Sequence, residues 1–284
     1  MTNVYKNNLS VFFVRYAPGS AGNFLISILQ TSNKLVHWSA EVENSKNTPE
    51  FENTFKQWFS YCFQPDLDNH LKFEPHHPYQ LDFFSSKHPR GNDIDCQSFV
   101  NHLEQRNDQL FLENIKQNKL TTMRLNKPNI PVFGYGSNVV NIIVDPTAKK
   151  WFYRTRFVKL FGQKSTHWIS KENHPEFLFA KYKKIIFQNQ YEFTVSKFTF
   201  LKDFVIGDPT IQCFFDQQNL ISDSSNNNCS QYFINLTTLL NRDQLLKEVV
   251  VLFEQLNLGD PDLDLIGWAF DRYYQTNIAP IGIT

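Results

Sequence analysis

The chain predicts an α/β fold, a mostly parallel sheet flanked by helices, and three stretches carry that prediction. Val11 to Val14 (VFFV) is a β-branched and aromatic run that Pro18-Gly19-Ser20-Ala21-Gly22 breaks before a helical pattern begins. Asn138 to Val144 (NVVNIIV) is apolar enough for a central strand, and Asp145-Pro146 separates it from the helical run AKKWFYRTRFVKLFG. Gln231 to Leu236 (QYFINL) precedes a further helical run over 241–256. A strand followed by a helix, repeated, is the pattern of parallel crossovers.

In order along the chain, Phe24, Leu25, Ile28 and Leu29 recur at helical spacing. A helix starting near Gly22 or Asn23 therefore packs one face on the sheet. Thr31 to Trp38 leaves the core, and the polar residues from Ala40 to Pro49 predict a loop. Phe51 to Phe63 predicts a helix with Phe55, Trp58, Phe59 and Cys62 on one packing face. Residues 64–95 are rich in His, Pro and Asp, a composition that in a compact domain often marks a lid or binding loop. The chain reads as a single α/β domain over 1–284 with an irregular insertion at about 40–118. Within and after it, 98–104 and 109–117 look helical and Leu120 to Leu125 (LTTMRL) looks like a strand. Residues 176–187 read as a helix, 193–207 fit strand or helix, and 222–228 form a polar loop. Over 241–256, Leu245, Leu246, Val249, Val250, Phe253 and Leu256 make an amphipathic helix stopped by Gly259 and Pro261, and a last helix spans 263–276.

Lys plus Arg number 28, as do Asp plus Glu, so no net field draws the protein to nucleic acid or an anionic membrane. No run reaches the length of a membrane span, and MTNVYKNNLS lacks the apolar core of a signal peptide. The expectation is a soluble, cytoplasmic protein. Cys62, Cys96, Cys213 and Cys229 lack metal-ligand spacing and fit reduced packing thiols. His76, His77 and His88 sit near prolines with no Cys or carboxylate completing a ligand pattern, so no metal is expected. A general base among them suits the residue type better.

The order strand, small-residue loop, helix N-terminus has a chemical use. The first N–H groups of a helix lack intrahelical partners, and the helix dipole places partial positive charge there. Gly19 and Gly22 let backbone approach a phosphate or sulfate, and Ser20 and Asn23 add side-chain donors. The nucleotide-binding pattern G-x-x-x-x-G-K-[ST] is not met, because Gly19 and Gly22 are too close together and Asn23 stands where lysine belongs. A tight turn into a core helix, with no ligand, is the competing reading.

The early loop, the strand before Asp145-Pro146 and INLTTLLNRDQLLKEVVVLFEQLNLG together resemble the sulfotransferase branch of P-loop folds. Pro18, Ser20 and Gly22 match that family's first loop if Ala21 is an insertion, with Gly19 at the basic position. Asp145 and Pro146 match its second landmark, with Val144 in place of the arginine and Phe152 near the expected serine. The resemblance implies transfer of a sulfuryl group from phosphoadenosine phosphosulfate to a small-molecule or glycan acceptor. It places the donor at Pro18, Gly19, Ser20, Ala21, Gly22, Asn23 and Asp145. His88 is the candidate catalytic base, with His37 and His76 as rivals, and Arg15, Lys149, Arg154 or Arg156 are candidates to replace the missing cations. The alternative is a noncatalytic binding or structural protein that retains the fold.

Overall fold

The computed structural model describes residues 11–17, 19–63, 120–125, 138–149, 151–152, 155, 213–222 and 230–279. Pro18, His76, His77, His88, Arg154, Arg156 and the stretches predicted over 64–118, 176–187 and 193–207 lie outside the described residues.

Among the described residues five strands form one sheet in the order β2-β3-β1-β4-β5, every neighbouring pair parallel. They are β1 (Val11–Arg15), β2 (Leu35–Val36), β3 (Leu120–Leu125), β4 (Asn138–Ile143) and β5 (Ser230–Asn235). The helices are α1 (Gly22–Leu29), α2 (Ala40–Ser45), α3 (Phe51–Cys62), α4 (Gln217–Ser222), α5 (Leu236–Leu239), α6 (Arg242–Gln255) and α7 (Leu263–Tyr273). One turn of 3₁₀-helix covers Cys213–Phe215, and α7 runs on as a π-helical turn through Tyr274–Ile278. The parallel α/β class is therefore observed.

Two elements depart from the sequence reading. Leu35–Val36 pairs with β3, at the edge of the sheet among the described strands, where the chain was expected to leave the core, and a two-residue strand is too short to show a period. Ala40–Ser45 is helical where a loop was expected. Ser39 caps it by accepting from Val42 N–H, and Glu41 and Glu43 in its first turn complement the helix dipole.

Alternation along the strands divides the sheet's two faces. Val14 and Tyr16 join Val140 and Ile142 in the apolar cluster on the α1 face. There Phe24 of α1 stacks on Tyr273 of α7 at 4.2 Å and 10°, and Phe59 and Phe63 approach Phe24 edge-on at 6.3 and 6.5 Å. Ring pairs of this geometry contribute about 0.5–1.5 kcal/mol each beyond the area they bury, enough to seat α1 between the sheet and α7.

The opposite face carries Phe13 and Arg15, in register with Val139 and Asn141 of β4. Arg15 is fully buried. Its Nε donates to Asn141 Oδ1 at 2.5 Å, and its Nη2 donates to Leu220 O at 3.0 Å and Gln231 Oε1 at 3.2 Å. Asn141 Nδ2 in turn donates to Gln231 Oε1 at 3.2 Å and Tyr232 O at 3.1 Å. One cation thus ties β1, β4, β5 and α4 together inside the protein, where each charge-assisted bond is stronger than a neutral one. Asn141→Leu removes the shortest of these bonds and should lower stability by about 2–3 kcal/mol, read as a lower urea midpoint at unchanged slope.

Candidate functional site

In a parallel sheet, ligands meet the carboxyl ends of strands at the point where connections depart in opposite directions. Here that point lies between β1 and β4. From β1 the chain passes through α1 toward β2 on one side, and from β4 it proceeds to β5 on the other. The β1–α1 turn, singled out from the sequence for its residues alone, occupies this position.

The turn is tightly built. Ser20 N–H donates to Ala17 O at 3.0 Å, and Ser20 Oγ donates to the same carbonyl at 2.7 Å. Gly19 takes φ 98 and Ala21 φ 59, so the chain passes twice through the left-handed region before α1 begins. For glycine this is free of strain, whereas for alanine it costs about 1 kcal/mol or more. Tyr16, the residue after β1, lays its ring against Gly22, and its hydroxyl donates to Asn23 Oδ1. A Cβ on Gly22 would overlap that ring, so glycine is required here by the close approach of strand and helix. Gly19, Ser20, Ala21, Gly22 and Asn23 are all buried.

Side chains cap α2, α6 and α7: Ser39 accepts from Val42 N–H, Asn241 from Gln244 N–H at 3.1 Å, and Asp262 from Leu265 N–H at 2.9 Å. Among the described residues no side chain caps α1, α3 or α5. Among the described residues, no acceptor meets the N–H groups of Ala21, Gly22 or Phe24, and these residues are essentially inaccessible to solvent. Buried donors without partners are uncommon, and at a helix start they are the groups an anion satisfies.

The other candidates are placed as follows. Asp145, at the exit of β4, accepts four protein hydrogen bonds: Oδ1 from Thr147 N at 3.1 Å, Ala148 N at 3.3 Å and Thr237 Oγ1 at 2.5 Å, and Oδ2 from Thr237 N at 2.8 Å. It joins the β4 exit to the start of α5. Val144 and Phe152, at the positions where the resemblance expects arginine and serine, are fully buried apolar side chains. Arg15 was a candidate replacement cation, but its guanidinium serves the core network on the face away from Tyr16. Lys149 lies 5.0 Å over the Phe215 ring.

His37 follows β2, two strands from β1 and so about 10 Å across the sheet. It is fully buried, its Nδ1 accepts from Ser39 N–H at 3.0 Å, and Nε2 has no hydrogen-bond partner among the described residues. Burial, helped by nearby Lys46, holds its pKa well below the ordinary 6.5, so the ring is neutral with its one lone pair already engaged. A base for an incoming acceptor needs that lone pair, so His37 does not fit the role.

No family model, curated protein or solved structure matches this chain. Among the described residues no group of three or more His, Cys, Asp and Glu could hold a metal ion, and no helix is long and apolar enough to cross a membrane.

If the Tyr16 ring dictates glycine at 22, Gly22→Ala should cost about 1–3 kcal/mol in urea unfolding. The same substitution should cost clearly less in a Tyr16→Ala background, and equal costs in both backgrounds would place the constraint elsewhere.

Proposed function

We propose that the β1–α1 turn binds the phosphate or sulfate end of a nucleotide-like ligand, and that the protein is a sulfotransferase-like enzyme acting on a small-molecule or glycan acceptor. The observation that carries the reading is the uncapped start of α1, with buried N–H groups at Ala21, Gly22 and Phe24 gathered at the sheet's switch point. Without a lysine at position 23, the positive character comes from oriented amides and the helix dipole. Amides fixed in advance stabilise charge that develops on a leaving phosphate without reorganising. Asp145 contributes by holding the β4 and β5 exits together beside the turn.

The fit to phosphoadenosine phosphosulfate is partial. The turn suits its sulfated 5′ end, whereas Val144 and Phe152 supply nothing that grips a 3′-phosphate. A noncatalytic anion-binding or structural role is the second reading, and the packing of Tyr16 over the turn together with the burial of residues 19–23 favours it.

Isothermal titration separates the two. The enzyme reading predicts saturable binding of adenosine 3′,5′-bisphosphate. Removal of its 3′-phosphate should weaken binding by less than about tenfold, equivalent to about 1.4 kcal/mol. Folded protein that gives no heat with either nucleotide rejects the donor site and leaves the structural role.

A further inference from the structure

A second arrangement stands apart from the turn and joins the sheet edge to α2 and α3. His37 N–H donates to Glu43 Oε2 at 2.7 Å, and Glu43 pairs with Lys46 at 3.2 Å. Lys46, only 3 % exposed, donates to Ser32 O at 2.9 Å and to Leu35 O of β2. Ser39, whose N–H donates to His37 Nδ1, is also the residue that caps α2. The imidazole also meets Trp58 at 4.5 Å and 86°, Phe55 at 6.2 Å and Trp38 at 6.4 Å. Loop, edge strand, α2 and α3 therefore converge on one buried ring.

We propose that His37 is an acid-sensitive latch: protonation of its ring releases α2 and the α2–α3 corner from the edge of the sheet. The chemistry is set by the hydrogen bonds. In the neutral ring Nδ1 is an acceptor and the single N–H is on Nε2, which meets no acceptor among the described residues. A second proton can go only to Nδ1, where it meets the Ser39 N–H, so two donors confront each other and the bond that holds the α2 cap is lost. The new cation also lies beside the Lys46 ammonium. The charged groups beside it are Glu43 of α2 and Lys46 at the end of that helix, and Glu43 already serves Lys46 and the His37 backbone. From α3 the described neighbours are the uncharged Phe55 and Trp58, while Lys56 and Glu52 pair with each other at 2.5 Å. A protonated His37 thus gains no new acceptor from the described groups around it and loses one bond.

The sign follows from where the proton binds. The folded ring resists protonation and the released ring does not, so opening takes up a proton. The closed form is fully favoured above the free-histidine range, and its advantage falls as pH drops through about 6.5. One proton per opening event means that the opening equilibrium grows about tenfold per pH unit below that point, until the closed ring itself protonates.

Hydrogen exchange of the whole chain, corrected for intrinsic rates and followed from about pH 7.5 to about pH 5, tests this. Amides over 37–46 should lose protection by about tenfold per unit while β1 and β4 keep theirs. His37→Asn, which keeps an acceptor near the Nδ1 position and does not titrate, should abolish the pH dependence. Unchanged protection over 37–46, loss in step with β1 and β4, or the same loss in the Asn variant overturns the proposal. Should that variant not fold, the wild-type His37 ring resonance decides. Protonation coincident with lost protection supports the latch, and protonation at an ordinary pKa with protection intact overturns it.

Discussion

The close approach of Tyr16 to Gly22 is the constraint on which the site depends. A tyrosine follows β1 on the same face as α1, and its ring lies where any side chain at 22 would have to go. With glycine there, the helix settles against the strand exit, and the hydroxyl reaches Asn23 in the first helical turn. The approach also sets the path of the loop. To enter α1 so soon after β1, the chain takes positive φ at Gly19 and again at Ala21, where a non-glycine residue accepts the strain. Strain of this kind persists where surrounding packing over-determines the backbone, and functional turns are where it collects.

Two polar systems, each built around one buried cation, hold the sheet about that turn. Arg15 and Asn141 join β1 to β4 and β5 beneath the switch point, and Lys46 joins the α1–β2 loop to α2 at the far edge. Among the described residues Arg15 donates to amide and carbonyl oxygens, and Lys46 donates to two carbonyls beside its pair with Glu43, an arrangement that favours one register over others. A one-residue slip of β1 would turn Arg15 toward the apolar α1 face. The sheet's centre is therefore specified by polarity as well as by apolar packing.

Much of the architecture was legible because strong periodic patterns coincide with real elements. VFFV, LTTMRL, NVVNII and QYFIN became strands, and the face carrying Leu245, Val249 and Phe253 became the buried side of α6. β2 and α2 were missed for physical reasons: a two-residue strand is defined by its partner, and α2 is short enough for Ser39 and its acidic first turn to outweigh a polar composition. At the site, the strand–turn–helix order was readable, as was the need for small residues. The role of Tyr16 was not, since a residue between a strand and a turn carries no signal of which neighbour it will touch. Arg15 illustrates the reverse case. Its charge suggested a ligand, but strand alternation sends it to the opposite face, where Asn141 and Gln231 meet it. His37 likewise looked like a base until its burial and its bond from Ser39 were known.

The proposed site requires an anion to complete the first turn of α1. Backbone amide resonances of ¹⁵N-labelled protein, titrated with adenosine 3′,5′-bisphosphate, address that atom by atom. Ala21, Gly22 and Phe24 should shift together and saturate at one ligand concentration, ahead of amides elsewhere in the sheet. Resonances of these three residues that stay still at saturating nucleotide, or that move only with general surface shifts, contradict it.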